Sequence, residues 1–128
     1  MAIYGIGTDL VEVSRIKRSL TRHGDRFRDR IFTAREIAYC ESLAAAAKFR
    51  SYAARFAAKE ALSKALHLGI GPGFDWVDLE INRNDAGAPS VALHHRAAEL
   101  ARHEHLGPIH ISLSHTDSHA IAYAMIEA

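Results

Sequence analysis

Cysteine is almost absent: Cys40 stands alone in a chain of 128 residues. A lone thiol excludes an intrachain disulfide framework and any cysteine-rich zinc motif, and it suits a reducing, cytosolic setting. No stretch approaches the ~20 consecutive apolar residues of a membrane span. The opening "MAIYGIGTDLVEV" has neither the basic flank nor the unbroken apolar run of a secretion signal, so a soluble, cytoplasmic protein is expected. Charge of one sign is not in excess, since the formal net is +1. Totals alone therefore indicate neither a polyanion binder nor an acidic tail. Among the nine histidines, His94, His95, His103, His105, His110, His115 and His119 crowd the C-terminal third. No HExxH or similar ligand pair accompanies them, so surface histidines are the better reading than a His-based metal site.

The length fits one domain, residues 1–128, with a core of its own. Residues 2–12 read as a strand rich in Ile, Val, Tyr and Thr, whose two glycines mark a bend or a close approach. From Ser14, a candidate N-cap, the pattern turns helical, and Arg15, Lys17, Arg18, Arg22, Arg26, Arg28 and Arg30 make local positive charge far denser than the net. "TARE" from Thr33 has capping-box spacing and should open a helix to Leu43. The alanines at 44–47 either continue it or form a connection before a long helix over 48–67, which "LGIGPGF" ends. "DWVDLEINRND" reads as a strand, "DAGAP" as a turn and "SVALHH" as the hairpin partner. Residues 94–105 read as a helix with Ala97, Leu100 and Ala101 inward. In "PIHISLSHT", Ile109, Ile111 and Leu113 alternate with His110, Ser112 and Ser114, and "HAIAYAMIE" sets a small-residue face at Ala120, Ala122 and Ala124. That order is an α+β domain, a mainly antiparallel sheet packed against a long helix and shorter helices.

Three features break the pattern. Asp9 lies amid Ile6, Leu10 and Val11 of the first strand. Glu60 falls within roughly 20–80° of Phe49, Tyr52, Ala53, Phe56 and Ser63 on a wheel of 100° per residue, the stripe that should face a core. Ser114, His115 and Thr116 end a strand on polar groups. Two readings stand for Glu60: a rim charge paired with Lys64, or a metal-binding acid that needs a second oxygen ligand. Asp9 and Glu60 together suit Mg²⁺, which takes one or two carboxylates, water and a substrate phosphate. Lys64 projects roughly 40° from Glu60, toward the same phosphate, whereas Lys59 is angled farther away. "GIGPG" follows a helix and lacks the GK[ST] ending, so it is no P-loop.

"IYGIGTDLVEVSRI", "RFAAKEALSKAL", "NDAGAP" and "HISLSHT", in this order, resemble the holo-acyl-carrier-protein synthases, the short type of phosphopantetheinyl transferase. The resemblance spans nearly the whole chain. It implies a 4′-phosphopantetheinyl transferase fold, a homotrimer with active sites between subunits, and Mg²⁺-dependent transfer of the 4′-phosphopantetheine arm of coenzyme A to apo acyl carrier protein for fatty acid biosynthesis. It assigns Asp9 and Glu60 as metal acids, Lys64 to the pyrophosphate, and Arg55, Ser114, His115 and Thr116 to the coenzyme. It also matches Arg15, Ile16, Arg22, Arg26 and Phe27 to the surface that docks the acidic carrier protein. Where the family often has glycine after "SKAL", this chain has His67, so the helix exit differs. Outside the resemblance, two other classes fit the residues. One is a non-catalytic protein that holds an acidic partner on a basic face which is otherwise merely solvated. The other is a magnesium phosphohydrolase with water as nucleophile. Nucleic acid is not expected, because only Phe27 and Phe32 interleave with the basic residues.

Overall fold

The computed structural model describes residues 2–128. The β-branched run at the N-terminus forms β1 (Ile3–Glu12), which passes without a loop into α1 (Val13–His23). The N-cap is Glu12, not Ser14, and it makes no side-chain cap. The buried side chains of Val13 and Ile16 draw the helix onto the core two residues early, and the Val13 amide bonds Ser118 O at 2.9 Å. Gly24, at φ 56°, breaks the basic run, and α2 (Asp25–Ile31) follows. α3 (Ala34–Glu41) opens on the expected capping box, with Thr33 and Glu36 bonded reciprocally.

The long helix α4 (Ala45–Ala65) begins inside the alanine run, earlier than the expected start at 48, so the alanines neither continue α3, which ends at Glu41, nor form the whole connection, which is residues 42–44. It stops at Leu66, and His67 turns left-handed at φ 64°. The expected strand after it is shorter than "DWVDLEINRND". Asp75 and Asp78 cap each other and wind Trp76–Asp78 into a 3₁₀ turn, so β2 spans only Leu79–Arg83. The "DAGAP" turn closes on Asn84, whose Oδ1 accepts from the amides of Ala86 and Ala88 at 3.0 Å, and leads into β3 (Pro89–Leu93). α5 (His95–His103) is trimmed by His94 as its N-cap. β4 (Ile109–His115) and β5 (His119–Glu127) form a hairpin closed by Thr116 N to His119 O at 2.8 Å.

All pairing between these strands is antiparallel, but it makes two sheets: β1-β5-β4 and the ribbon β2-β3. α4 lies across the larger sheet, on the face of Val11, Ala120, Ala122, Ala124 and Ile126, all buried. The small β5 face therefore does what its alanines suggest. The glycines of β1 are a close approach: a β-carbon on Gly5 would lie 2.0 Å from Ala65 O, and one on Gly7 1.9 Å from Ala61 O. No larger residue fits while α4 keeps this depth. The opposite sheet face is apolar and open, with Ile6 58%, Leu10 63%, Ile121 44% and Tyr123 44% exposed.

On its other side α4 is held by a charged core that the wheel did not reveal. Lys59, angled away from Glu60 as the wheel has it, is fully buried. Its ammonium donates to Glu36 Oε1 at 2.8 Å, to Trp76 O at 3.1 Å and to Leu79 O. Glu36 also accepts from Thr33 N at 2.9 Å and Ile81 N at 3.0 Å. Burial pulls the Lys59 pKa down, and Glu36 resists that shift. Thr33 Oγ1 donates to Glu80, which accepts from Asn82 Nδ2 at 3.1 Å as well.

Candidate active site

Strand alternation puts Gly5, Gly7, Asp9 and Val11 of β1 on the α4 side, so the shallow helix–strand spacing created by the glycines also brings Asp9 beside α4. Lys64 Nζ lies 3.6 Å from Asp9 Oδ1 and donates to Thr8 O at 2.7 Å. Glu60, one turn before Lys64, is half-buried. Burial pushes its carboxyl above the usual carboxylate range, the nearby Asp9 charge adds to that, and Lys64 and Arg15 oppose it. Asp9, Glu60, Lys64 and Arg15 thus form one electrostatic cluster.

Like charges at a half-buried site are costly unless a cation joins them. Among the described residues no group of three or more His, Cys, Asp or Glu side chains is arranged to hold a metal. The donor set is two carboxylates, which fits a hard cation that keeps water and substrate phosphate as its other ligands, and not a protein-caged transition metal.

Arg55 stands elsewhere. A cleft of about 380 Å³ is lined by Arg50, Arg55, Arg83, Ser51, Asn82 and His115, with Leu43, Ile81, Pro89 and Leu113 supplying apolar wall. Arg55 is 5% exposed, lies over the Tyr39 ring and donates to Ser51 Oγ at 2.7 Å, while its Nε is buried with no partner. An orphaned guanidinium nitrogen beside two further arginines is a seat for an anion. Arg83 donates to the Tyr39 hydroxyl at 3.0 Å. Arg50 and Arg83 were not singled out in the sequence, because they sit on an α4 face and in the β2-β3 ribbon with no shared period.

His115 lines this cleft, Ser114 is exposed at the end of β4, and Thr116 Oγ1 accepts from the amides of Ser118 and His119 at 3.3 and 3.1 Å. β5 separates β4 from β1, so these residues and Asp9 belong to opposite edges of the sheet. One protomer gathers Asp9, Glu60 and Lys64 in one place, and Arg55 with His115 in another.

The basic surface is also sorted. Arg22 and Arg26 are exposed, and Lys17, Arg18, Thr21 and Arg22 line a shallow surface cavity on α1. Ile16 is 1% exposed and packed in the core, so its expected role in touching a partner is corrected: its apolar side chain anchors α1 instead. Phe27 is half-buried against the core. The Arg15 guanidinium is 5.6 Å from the centroid of Phe56, which stacks on Trp76 at 4.9 Å, so Arg15 is tied to the Glu60 neighbourhood as much as to the open basic face. Among the described residues, no helix is long and apolar enough to cross a membrane.

The sequence pattern of the 4′-phosphopantetheinyl transferase superfamily matches residues 5–124. The chain is 45% identical over 125 residues to the holo-[acyl-carrier-protein] synthase of Koribacter versatilis, covering 98% of each. It is 48% identical over 122 residues to that of Moorella thermoacetica, covering 95% of this chain and 92% of the relative. Among solved structures, the Helicobacter pylori holo-[acyl-carrier-protein] synthase in complex with coenzyme A superposes with a TM-score of 0.84 at 32% identity, covering 95% of this chain and 99% of the other.

Proposed function

The chain belongs to the holo-[acyl-carrier-protein] synthase family of 4′-phosphopantetheinyl transferases, and we propose that it moves the 4′-phosphopantetheine arm of coenzyme A onto a serine of an apo acyl carrier protein. The observation that carries this reading is the half-buried Asp9–Glu60 pair with Lys64 beside it, on a chain whose relatives bear the synthase name and include a coenzyme A complex.

The serine hydroxyl oxygen attacks the pantetheine-side phosphorus of the pyrophosphate. The bond from that phosphorus to the bridging oxygen breaks, adenosine 3′,5′-bisphosphate departs, and the serine proton passes to Glu60 or to solvent beside it. Asp9 and Glu60 would hold Mg²⁺, which when bound supplies neutralisation of the pyrophosphate and of the charge growing on the leaving group. Lys64 contributes a fixed positive charge at the same place, and its bond to Thr8 O limits its freedom. Positioning the phosphorus and the hydroxyl carries much of the remaining acceleration.

The arginine cleft with Arg55 and His115 receives the nucleotide end of the coenzyme, with Ser114 and Thr116 at its margin; the orphaned Arg55 Nε supports this. Because the cleft and the acids are apart in one protomer, a second copy completes the site. The open apolar face of Ile6, Leu10, Ile121 and Tyr123 is the contact surface such a homotrimer requires. Exposed Arg22 and Arg26 meet the acidic carrier, and the Arg15 charge acts on Glu60. The product serves fatty acid biosynthesis in the cytoplasm.

Intact-mass spectrometry of apo carrier protein incubated with this protein, coenzyme A and Mg²⁺ tests the reading. A gain of one phosphopantetheine mass, abolished by EDTA and by Glu60→Ala, is expected. No gain with several carriers would overturn it, and release of phosphopantetheine without acceptor would point to hydrolysis.

A further inference from the structure

β1 contains a bulge. Ile3 pairs with Glu127 and Gly5 with Ile126, which leaves Tyr4 without a partner across the ladder. Bulges re-aim the groups they free. The Tyr4 carbonyl accepts from His67 Nε2 at 2.9 Å, so that nitrogen carries the proton. The two rings also meet at 4.9 Å. His67 makes this contact from a left-handed backbone at φ 64°, a conformation that glycine adopts at helix ends without strain and histidine does not. A strained residue whose side chain donates to the carbonyl at a bulge is a built contact.

One turn back on α4, Lys64 donates to Thr8 O at 2.7 Å. The two side chains grip β1 on either side of Gly5 and Gly7, where the backbones already touch. Resting on the Asp9–Glu60 reading above, we propose that His67 is a positioning residue: with the Tyr4 bulge it sets the register of β1 against α4, and so the spacing of Asp9 from Glu60 and Lys64. Without it Lys64 is left as the only side chain of α4 or its exit holding a β1 carbonyl, and the strand carrying Asp9 gains freedom along its axis.

The test compares wild type, His67→Gly and His67→Gln. Glycine accepts the left-handed backbone, so loss of the side chain is separated from misfolding. Glutamine can again donate to Tyr4 O. Amide hydrogen exchange over Gly5–Asp9 is expected to quicken in His67→Gly and to return toward wild type in His67→Gln. In the transfer assay the Mg²⁺ concentration at half-maximal rate should rise about tenfold in His67→Gly, the lower end for a residue supporting metal ligands, with KM for the carrier unchanged. Wild-type exchange and wild-type Mg²⁺ dependence in His67→Gly would overturn the proposal. If wild type transfers nothing, the functional reading fails, and exchange alone then decides: quickened in His67→Gly and restored in His67→Gln supports the clip, unchanged refutes it.

Discussion

The ammonium of Lys59 sits 2.8 Å from Glu36 Oε1 with both side chains removed from solvent. This pair joins α4 to the first turn of α3 and, through Leu79 O and Ile81 N, to β2. Removing one partner strands a charge in the core. Lys59→Met is therefore expected to cost about 3–5 kcal/mol of stability, and adding Glu36→Gln should recover part of it, because the amide oxygen still accepts from Thr33 N. Urea denaturation of the single and double variants checks this; equal losses in both would show that the Glu36 charge is not the source.

Glu60 is held against its own preference, since burial and Asp9 both disfavour its charge. Glu60→Gln should reduce transfer by about a hundredfold or more, while leaving the melting temperature in EDTA equal to wild type or higher. Asp9→Asn should behave alike. A fall in both activity and melting temperature would mean that the acids hold the fold together.

The two arginine surfaces should separate kinetically. Arg83→Ala, in the cleft, is expected to raise KM for coenzyme A roughly tenfold with KM for the carrier unchanged, and Arg22→Glu with Arg26→Glu should do the reverse. Steady-state kinetics with each substrate varied would read the difference. A coenzyme defect in the α1–α2 double variant would move the docking surface elsewhere.

Glu80 links stability to acid. Burial raises its pKa, but hydrogen bonds from Thr33, Asn82 and His94 outweigh that and hold the carboxyl below its ordinary 4.5. A folded value below the unfolded one means that the stabilisation is complete above about pH 4.5 and is lost as pH falls through the folded value. Glu80→Gln should flatten that acid limb in denaturation midpoints taken from pH 6 downward. An unchanged slope would assign the limb to other carboxylates.

Several elements were legible because they rest on local rules. The Thr33–Glu36 box needs only its own four residues, the alanines of β5 declare a close-packed face by alternation, and the β1 glycines announce close approach. Asp9 and Glu60 stood out as charges at apolar positions, and the fold puts them in one electrostatic cluster. The wheel angles Lys59 away from Glu60, as the structure has it, but a wheel reports direction on one helix and not what waits there; the partners of Lys59 come from α3 and from backbone carbonyls far along the chain. Ile16 was misread for the complementary reason, since an apolar residue among arginines looks the same whether it anchors the helix or greets a partner.

The sequence by itself determined the elements, their order, and which acids are out of place, because periodicity and capping act over a few residues. Only the tertiary structure decided that a bulge at Tyr4 meets His67, that Arg50, Arg55 and Arg83 share a cleft with His115, and that the acids lie apart from it. Those relations depend on the depth at which α4 rests on β1 and on the order β1-β5-β4, both set by long-range packing that no short window of sequence contains.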